Sequence, residues 1–246
     1  MIWRSLHATA QCQAAVTLLA VPPASDATDL ALLSAPELER AGRFVFERDR
    51  AAFVTARAAL RRLLSAETGI DAATLPLGID TRGRPFLDAS GHDALDFNLS
   101  HSGALAAVAI SRGGRVGVDV EWHGLSRSLR DLVPQVMGAQ ETALLRTLDG
   151  DEFTRCFLAC WTRKEAMVKG IGVGIAFPLQ TIDVPGAGTD APVRVQTSHD
   201  AVWSVCTSEP VTGFTLSVAL AGESTQLHAD QAFCHRHEQL GRAQIA

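Results

Sequence analysis

The sequence predicts an α+β fold: a pseudo-dimer of two similar α/β halves, each a small sheet packed on a long helix. Three observations carry this. Two long stretches, about residues 50–66 and 152–169, repeat apolar side chains at helical spacing. Short apolar runs bounded by turn residues fill much of the remaining chain. A faint internal echo links the parts: Gly103 followed by Val108-Ala109-Ile110 matches Gly213 followed by Val218-Ala219-Leu220. Aligning the echoes brings the two long helices into rough overlap. The predicted halves are 1–114 and 115–221, with a polar tail over 222–246.

The elements follow in order. Residues 1–20 are fairly apolar with a basic Arg4, as in a secretion signal, but Gln11 and Gln13 interrupt the run. Residues 14–21 read as a first strand. Ser34 is placed to cap a helix with Pro36 in its first turn. The helix over 50–66 carries Phe53, Ala56, Leu60, Leu63 and Leu64 on one face, and Gly69 ends it. Gly83-Arg84-Pro85 is a turn. Residues 96–100 and 104–111 are strands, and the "RGGR" of 112–115 reads as a hairpin turn into a strand over 116–121. Residues 122–140 are irregular with a short helix. The helix over 152–169 is strongly patterned, and strands follow at about 193–197, 202–208 and 213–219.

Composition limits the function classes. The 246 residues are 47% hydrophobic and 20% charged, ordinary for a soluble globular protein. A net charge of -5 argues against a general nucleic-acid binder, so any basic site must be local. No stretch is long and apolar enough to be read as a membrane span. Cys12, Cys156, Cys160, Cys206 and Cys234 are odd in number and fit no disulfide framework or zinc spacing, which points to reduced thiols and a cytoplasmic location. Cys156 and Cys160 read as small core residues. Cys234, His235 and His237 belong to a solvated tail, with metal binding the sharper alternative.

The chemistry lies in four places. In "GVDVEW", residues 117–122, Asp119 and Glu121 point to one face of a strand and Val118 and Val120 to the other. The pair is either a solvated face or a site for a hard divalent cation, which takes oxygen ligands. In the helix "WTRKEAMVKGIG", residues 161–172, Glu165 and Lys169 form an i, i+4 pair on the flank of the apolar stripe. Lys164 falls near the middle of that stripe and must snorkel or find a carboxylate. In "DFNLSHSG", residues 96–103, Ser100 and His101 suit phosphate binding; adjacent residues in an extended segment point apart, and no G-x-S-x-G elbow is present. Arg40, Arg43, Arg82 and Arg84 could clamp a phosphorylated ligand. There is no Walker loop and no G-x-G-x-x-G. Acidic groups for a metal, basic groups for phosphates and a lysine beside a carboxylate are equipment for phosphoryl-type transfer.

The combination resembles the 4'-phosphopantetheinyl transferases of the surfactin-synthetase-activating (Sfp-like) type. "GRP" (83–85), "FNLSHSG" (97–103), "GVDVE" (117–121) and "WTRKEAMVKGIG" (161–172) match that family's motifs in order, and "ERAGRFVFERDR" (39–50) fits its N-terminal basic segment. The resemblance covers about residues 15–220. It implies a cleft between two α+β halves. The implied reaction moves the phosphopantetheine arm of coenzyme A onto a serine of an apo acyl or peptidyl carrier protein and releases adenosine 3',5'-bisphosphate. By resemblance, Asp119, Glu121 and Glu165 hold Mg²⁺, Glu165 is the candidate base and Lys169 stabilises the transferring phosphate. Arg40, Arg43, Arg84, Ser100, His101 and Lys169 bind coenzyme A, with Arg40 and His101 at the 3'-phosphate. The carrier is expected to dock on a local basic or apolar patch including Arg127 and Arg130. The doubled motifs imply a monomer. A magnesium-dependent hydrolase of a nucleotide or coenzyme A-like pyrophosphate is the alternative reading, and a non-catalytic binding module a further one.

Overall fold

The computed structural model describes residues 2–7, 13–124, 128–174, 177–184, 193–196, 202–221 and 228–229. After β1 (Ile2–His7) and β2 (Gln13–Ala20) come the short α1 (Ala27–Leu30), α2 (Ala35–Gly42) and α3 (Glu47–Thr68). Ser34 and Glu37 close a capping box at the start of α2. The 22-residue α3 outruns the stretch read from apolar spacing: Glu47 and Asp49 suit the positive end of its first turn, and Gly69, at φ 74°, ends it. A small hairpin, β3 (Leu77–Ile79) and β4 (Pro85–Leu87), precedes β5 (Leu95–Ser102), β6 (Leu105–Arg112) and β7 (Val116–Trp122). The stretch read as irregular holds a 3-10 turn (Arg130–Leu132), α4 (Val133–Val136) and the start of α5 (Ala139–Leu145). Helix α6 (Gly150–Ile171) also has 22 residues and ends on a left-handed glycine, Gly172. Strands β8 (Val193–Gln196), β9 (Val202–Val211), β10 (Phe214–Ala221) and β11 (His228–Ala229) follow.

Two sheets stack between the two long helices. The first has the order β11-β1-β2-β6-β5 and the second β7-β10-β9-β8. Strand–helix–hairpin therefore occurs twice: β2, α3, β5–β6 and then β7, α6, β9–β10. Gly103 and Gly213, the echoed glycines, turn the two equivalent hairpins at φ 54° and 82°. Helix α3 covers one face of the first sheet through Leu60, Leu64, Phe97 and Val108. Helix α6 covers the outer face of the second through Phe157, Met167, Trp203 and Val205. Between the sheets lies one shared cluster, which joins Val16, Leu18 and Ala107 to Val118, Val120, Val218 and Leu220. The protein is thus an α+β fold, as its sequence predicts.

One element differs from expectation. Residues 112–115 do not turn β6 back on itself. They carry the chain out of the first sheet, and β7 pairs with β10, about a hundred residues on. Strand β7 still lies beside β5, joined by side chains. Asp96 Oδ2, Asn98 Oδ1, Ser100 Oγ and Ser102 Oγ accept the backbone N–H groups of Val116, Val118, Val120 and Trp122 at 2.7, 3.1, 3.2 and 3.0 Å. The sequence separation stays at 20, so the two strands run parallel along this seam.

Candidate active site

The site forms where α6 presses on β7. Gly117 lacks a side chain at the contact: a Cβ there would lie 1.8 Å from the carbonyl oxygen of Ala166. Gly170 is tight on the same helix, 2.6 Å from the Trp203 ring by the same measure. This close approach brings Lys169 to the buried Asp119. Lys169 Nζ donates to Asp119 Oδ1 at 2.6 Å and to Ser100 Oγ at 3.0 Å, and Ser100 Oγ donates to Asp119 Oδ1 at 2.8 Å. Asp119 Oδ2 is buried with no hydrogen-bond partner. A carboxylate oxygen left bare in the interior is costly unless something positive meets it.

The other two acidic candidates flank this point. Glu121 accepts from Ser102 Oγ at 2.8 Å, and Glu165 lines the neighbouring cavity from α6. Among the described residues, no group of three His, Cys, Asp or Glu side chains is drawn together at metal-ligand spacing. The donor set fits a hard divalent cation by chemistry, through three carboxylates on adjoining elements and the unpartnered Oδ2 of Asp119.

The cavity beside them has a volume of about 390 Å³ and is strongly cationic. Arg40, Arg57, Arg82, Arg84, His101 and Lys169 line it together with Glu165 and Phe53. Phe53 organises two of the arginines: the guanidiniums of Arg40 and Arg57 lie 5.3 and 5.6 Å from its ring centroid. Glu37, nearly buried between α2 and α3, supports them from behind, 3.7 Å from Arg57 and 2.8 Å from the fully buried Arg61. Burial pulls Arg57 below the ordinary guanidinium range, and Glu37 counters it. His101 is held below the usual imidazole value, first by desolvation among these walls and then by the Lys169 charge. The residue as a whole is exposed and lines the cavity, so a ligand can reach it. A cluster of fixed cations over an aromatic floor is built for an anion.

Not every expected residue reaches the cavity. Arg43 points into solvent, its side chain 73% exposed beside Glu39. Arg40, one helical turn from Glu37, faces inward instead. Ser100 lies in the seam rather than on the cavity wall, and its hydroxyl already accepts from Val120 and Lys169 and donates to Asp119. Arg84 lines the cavity, but its guanidinium is bound to Asp96 at 2.7 and 2.8 Å. Lys164 has the carboxylate its position demanded: fully buried, it pairs with Glu141 and donates to the carbonyls of Val136 and Leu179 at 2.9 and 3.1 Å. Cys156, Cys160 and Cys206 are buried and form no disulfide. Arg127, Cys12 and the tail residues Cys234, His235 and His237 lie outside the described residues. Arg57 and Phe53 escape sequence reading because both sit on a helix face that reads as core. The only signal was an arginine recurring at i+4 on that face, at positions 57 and 61.

Two family models match the chain. One described as the 4'-phosphopantetheinyl transferase superfamily covers residues 115–219, and one described as the N-terminal part of 4'-phosphopantetheinyl transferase covers 23–112. The 4'-phosphopantetheinyl transferase HetI of Nostoc sp. is 35% identical over 202 residues, 81% of this chain and 84% of its own length. The chain belongs to the 4'-phosphopantetheinyl transferase superfamily. The L-aminoadipate-semialdehyde dehydrogenase-phosphopantetheinyl transferase of Xenopus laevis is 31% identical over 157 residues, 60% of this transferase and about half (52%) of the frog protein. A holo-(acyl-carrier-protein) synthase of Bacillus anthracis, solved with CoA (3',5'-ADP), is similar at 20% identity and a TM-score of 0.37, over 44% of this chain and 94% of that one. Among the described residues of the transferase, no helix is long and apolar enough to cross a membrane.

Proposed function

We propose that this transferase takes the phosphopantetheine arm from coenzyme A and attaches it to a serine of an apo carrier protein. The observation that carries the reading is the pairing of a cationic cavity with the Asp119–Lys169–Glu165 edge beside it. Residues 1–114 supply the phosphate-binding groups and 115–221 the acidic and catalytic ones. Arg40, Arg57 and His101 hold the 3'-phosphate end of the donor. Lys169 faces the pyrophosphate and neutralises the charge that develops as adenosine 3',5'-bisphosphate leaves. Glu165 accepts the proton of the carrier serine, whose oxygen forms the new bond to phosphorus. Asp119, Glu121 and Glu165 would hold Mg²⁺, which supplies further charge neutralisation on the pyrophosphate. The carrier docks on a local basic or apolar patch that includes Arg130, whose guanidinium lies 4.1 Å from the Phe153 ring centroid and bonds to Asp149. The protein acts as a cytoplasmic monomer.

The test mixes the protein with coenzyme A, Mg²⁺ and an apo carrier, and weighs the carrier. A phosphopantetheine mass gain is expected. No gain on several acyl and peptidyl carriers would reject the reading. Cleavage of coenzyme A without a carrier would favour the pyrophosphate hydrolase, which family membership does not support. Glu165→Ala should abolish transfer while calorimetry still detects coenzyme A binding. Full activity in that variant would remove Glu165 as the base.

A further inference from the structure

We infer that Arg84 is a latch between the two halves, a positioning residue for Lys169 rather than a ligand of the donor phosphates. Four segments meet at its guanidinium. Nη1 and Nη2 grip the two carboxylate oxygens of Asp96 at 2.8 and 2.7 Å. Nη2 also donates to the carbonyls of Phe97 and Val116, both at 3.2 Å, and Nε donates to the carbonyl of Lys169 at 3.2 Å. Arginine has five N–H donors in a rigid fork. These contacts engage Nε, both protons of Nη2 and one of Nη1. The two-pronged edge that would grip a phosphate is closed by Asp96. The side chain is only 9% exposed.

The latch is fixed at both ends. Asp80 Oδ1 accepts the backbone N–H groups of Arg82 and Arg84, both at 2.8 Å, which sets the turn that presents Arg84. Asp96 and Phe97 belong to β5, whereas Val116 begins β7 and Lys169 is in the last turn of α6. Asp96 Oδ2 accepts the Val116 N–H at 2.7 Å as well, so the pair pins the start of β7 twice. The carbonyl of Lys169 is among those a helix leaves unsatisfied at its C-terminal end, where positive charge is also favoured. Gly172, which ends α6, sits close enough that a Cβ there would lie 3.2 Å from Arg84 Cδ. Lys169 thus has its backbone tied to Arg84 and its ammonium on Asp119. A change in the latch moves the lysine. The cavity keeps Arg40, Arg57 and His101 as anion-binding groups without it.

The inference rests on the transferase reading, and the test separates the two. Asp96 is absent from the cavity wall, so Asp96→Asn loosens the latch without touching the donor. Wild type, Asp96→Asn, Arg84→Lys and Arg84→Gln are compared for transfer by carrier mass and for coenzyme A affinity by calorimetry, with a thermal melt for each. Displacing a reacting group by a fraction of an ångström should lower kcat about 10- to 100-fold in Asp96→Asn and in Arg84→Lys. The dissociation constant for coenzyme A should stay within about threefold in both, and lysine should not rescue, because it cannot form the fork. A wild-type rate in Asp96→Asn overturns the latch. So does retained activity in Arg84→Lys combined with weakened coenzyme A binding in Arg84→Gln, the pattern of a phosphate ligand. If the Arg84 variants do not fold, Asp96→Asn decides alone. A wild-type protein that transfers nothing rejects the transferase reading instead.

Discussion

Among the described residues, the buried charged side chains Glu37, Arg57, Arg61, Asp119, Glu141, Arg163 and Lys164 each have a polar or charged partner. Lys164 shows the rule: sequence spacing places it on the apolar stripe of α6, but its partner is 23 positions away, and only the fold brings Glu141 to it. Removing one member of such a pair strands the other, so Lys164→Met should lose about 3–5 kcal/mol of stability in urea titration. A loss near zero would mean that Glu141 finds other donors. The sequence singles out His101 as a candidate; its depressed pKa is not legible there, because that depends on the cleft walls and on Lys169. With its folded pKa below 6.5, the ring is mostly neutral at pH 7. Protonation therefore opposes folding, and the stability His101 contributes is present above its ordinary pKa and lost as pH falls. A bound phosphate dianion reverses the preference, so coenzyme A binding should take up a proton and tighten between pH 8 and 6. Calorimetry in buffers of different ionisation enthalpy should detect that uptake, and His101→Gln should abolish it. An unaltered pH slope in the variant would exclude His101. Arg43, expected from the resemblance to bind coenzyme A, faces solvent beside Glu39, because a short basic segment does not reveal which face of α2 its residues take.

The long helices and most strands were legible because their apolar side chains recur at 3.6 or 2 residues. The seam was not. The polar positions of β5, Asp96, Asn98, Ser100 and Ser102, alternate with apolar ones like any strand with one face in water, yet they bond to β7. The crossing at residues 112–115 was hidden for the same reason: two glycines between strands mark a turn without saying which sheet receives the chain. Gly117 carries the sharpest consequence for an element. A methyl group there would overlap the main chain of α6, which cannot step aside as a side chain would. Gly117→Ala should push the helix off β7, cost about 1–3 kcal/mol or more, and lower transfer by displacing Lys169 from Asp119. Unchanged stability and transfer would show that the contact is looser than described.

The two sheets share one apolar cluster, so neither half has a complete core of its own. The intact chain should unfold in a single transition, with tryptophan fluorescence and far-UV circular dichroism coinciding. A fragment of residues 1–114 should fail to fold alone, since it would expose Val16, Leu18 and Ala107. Two separated transitions would contradict this. The sequence echo revealed the doubling because the hairpin glycines repeat, but the way the halves join depends on long-range contacts that no local pattern records. The seam has one more effect. Strand β5 ends the first sheet and β7 ends the second, and a bare sheet edge is a template on which another chain can add a strand. Here each edge is turned against the other and stitched by four short polar side chains. The transferase thereby hides two places where its own copies could pair and aggregate, and shortening those side chains would endanger its solubility as well as its catalysis.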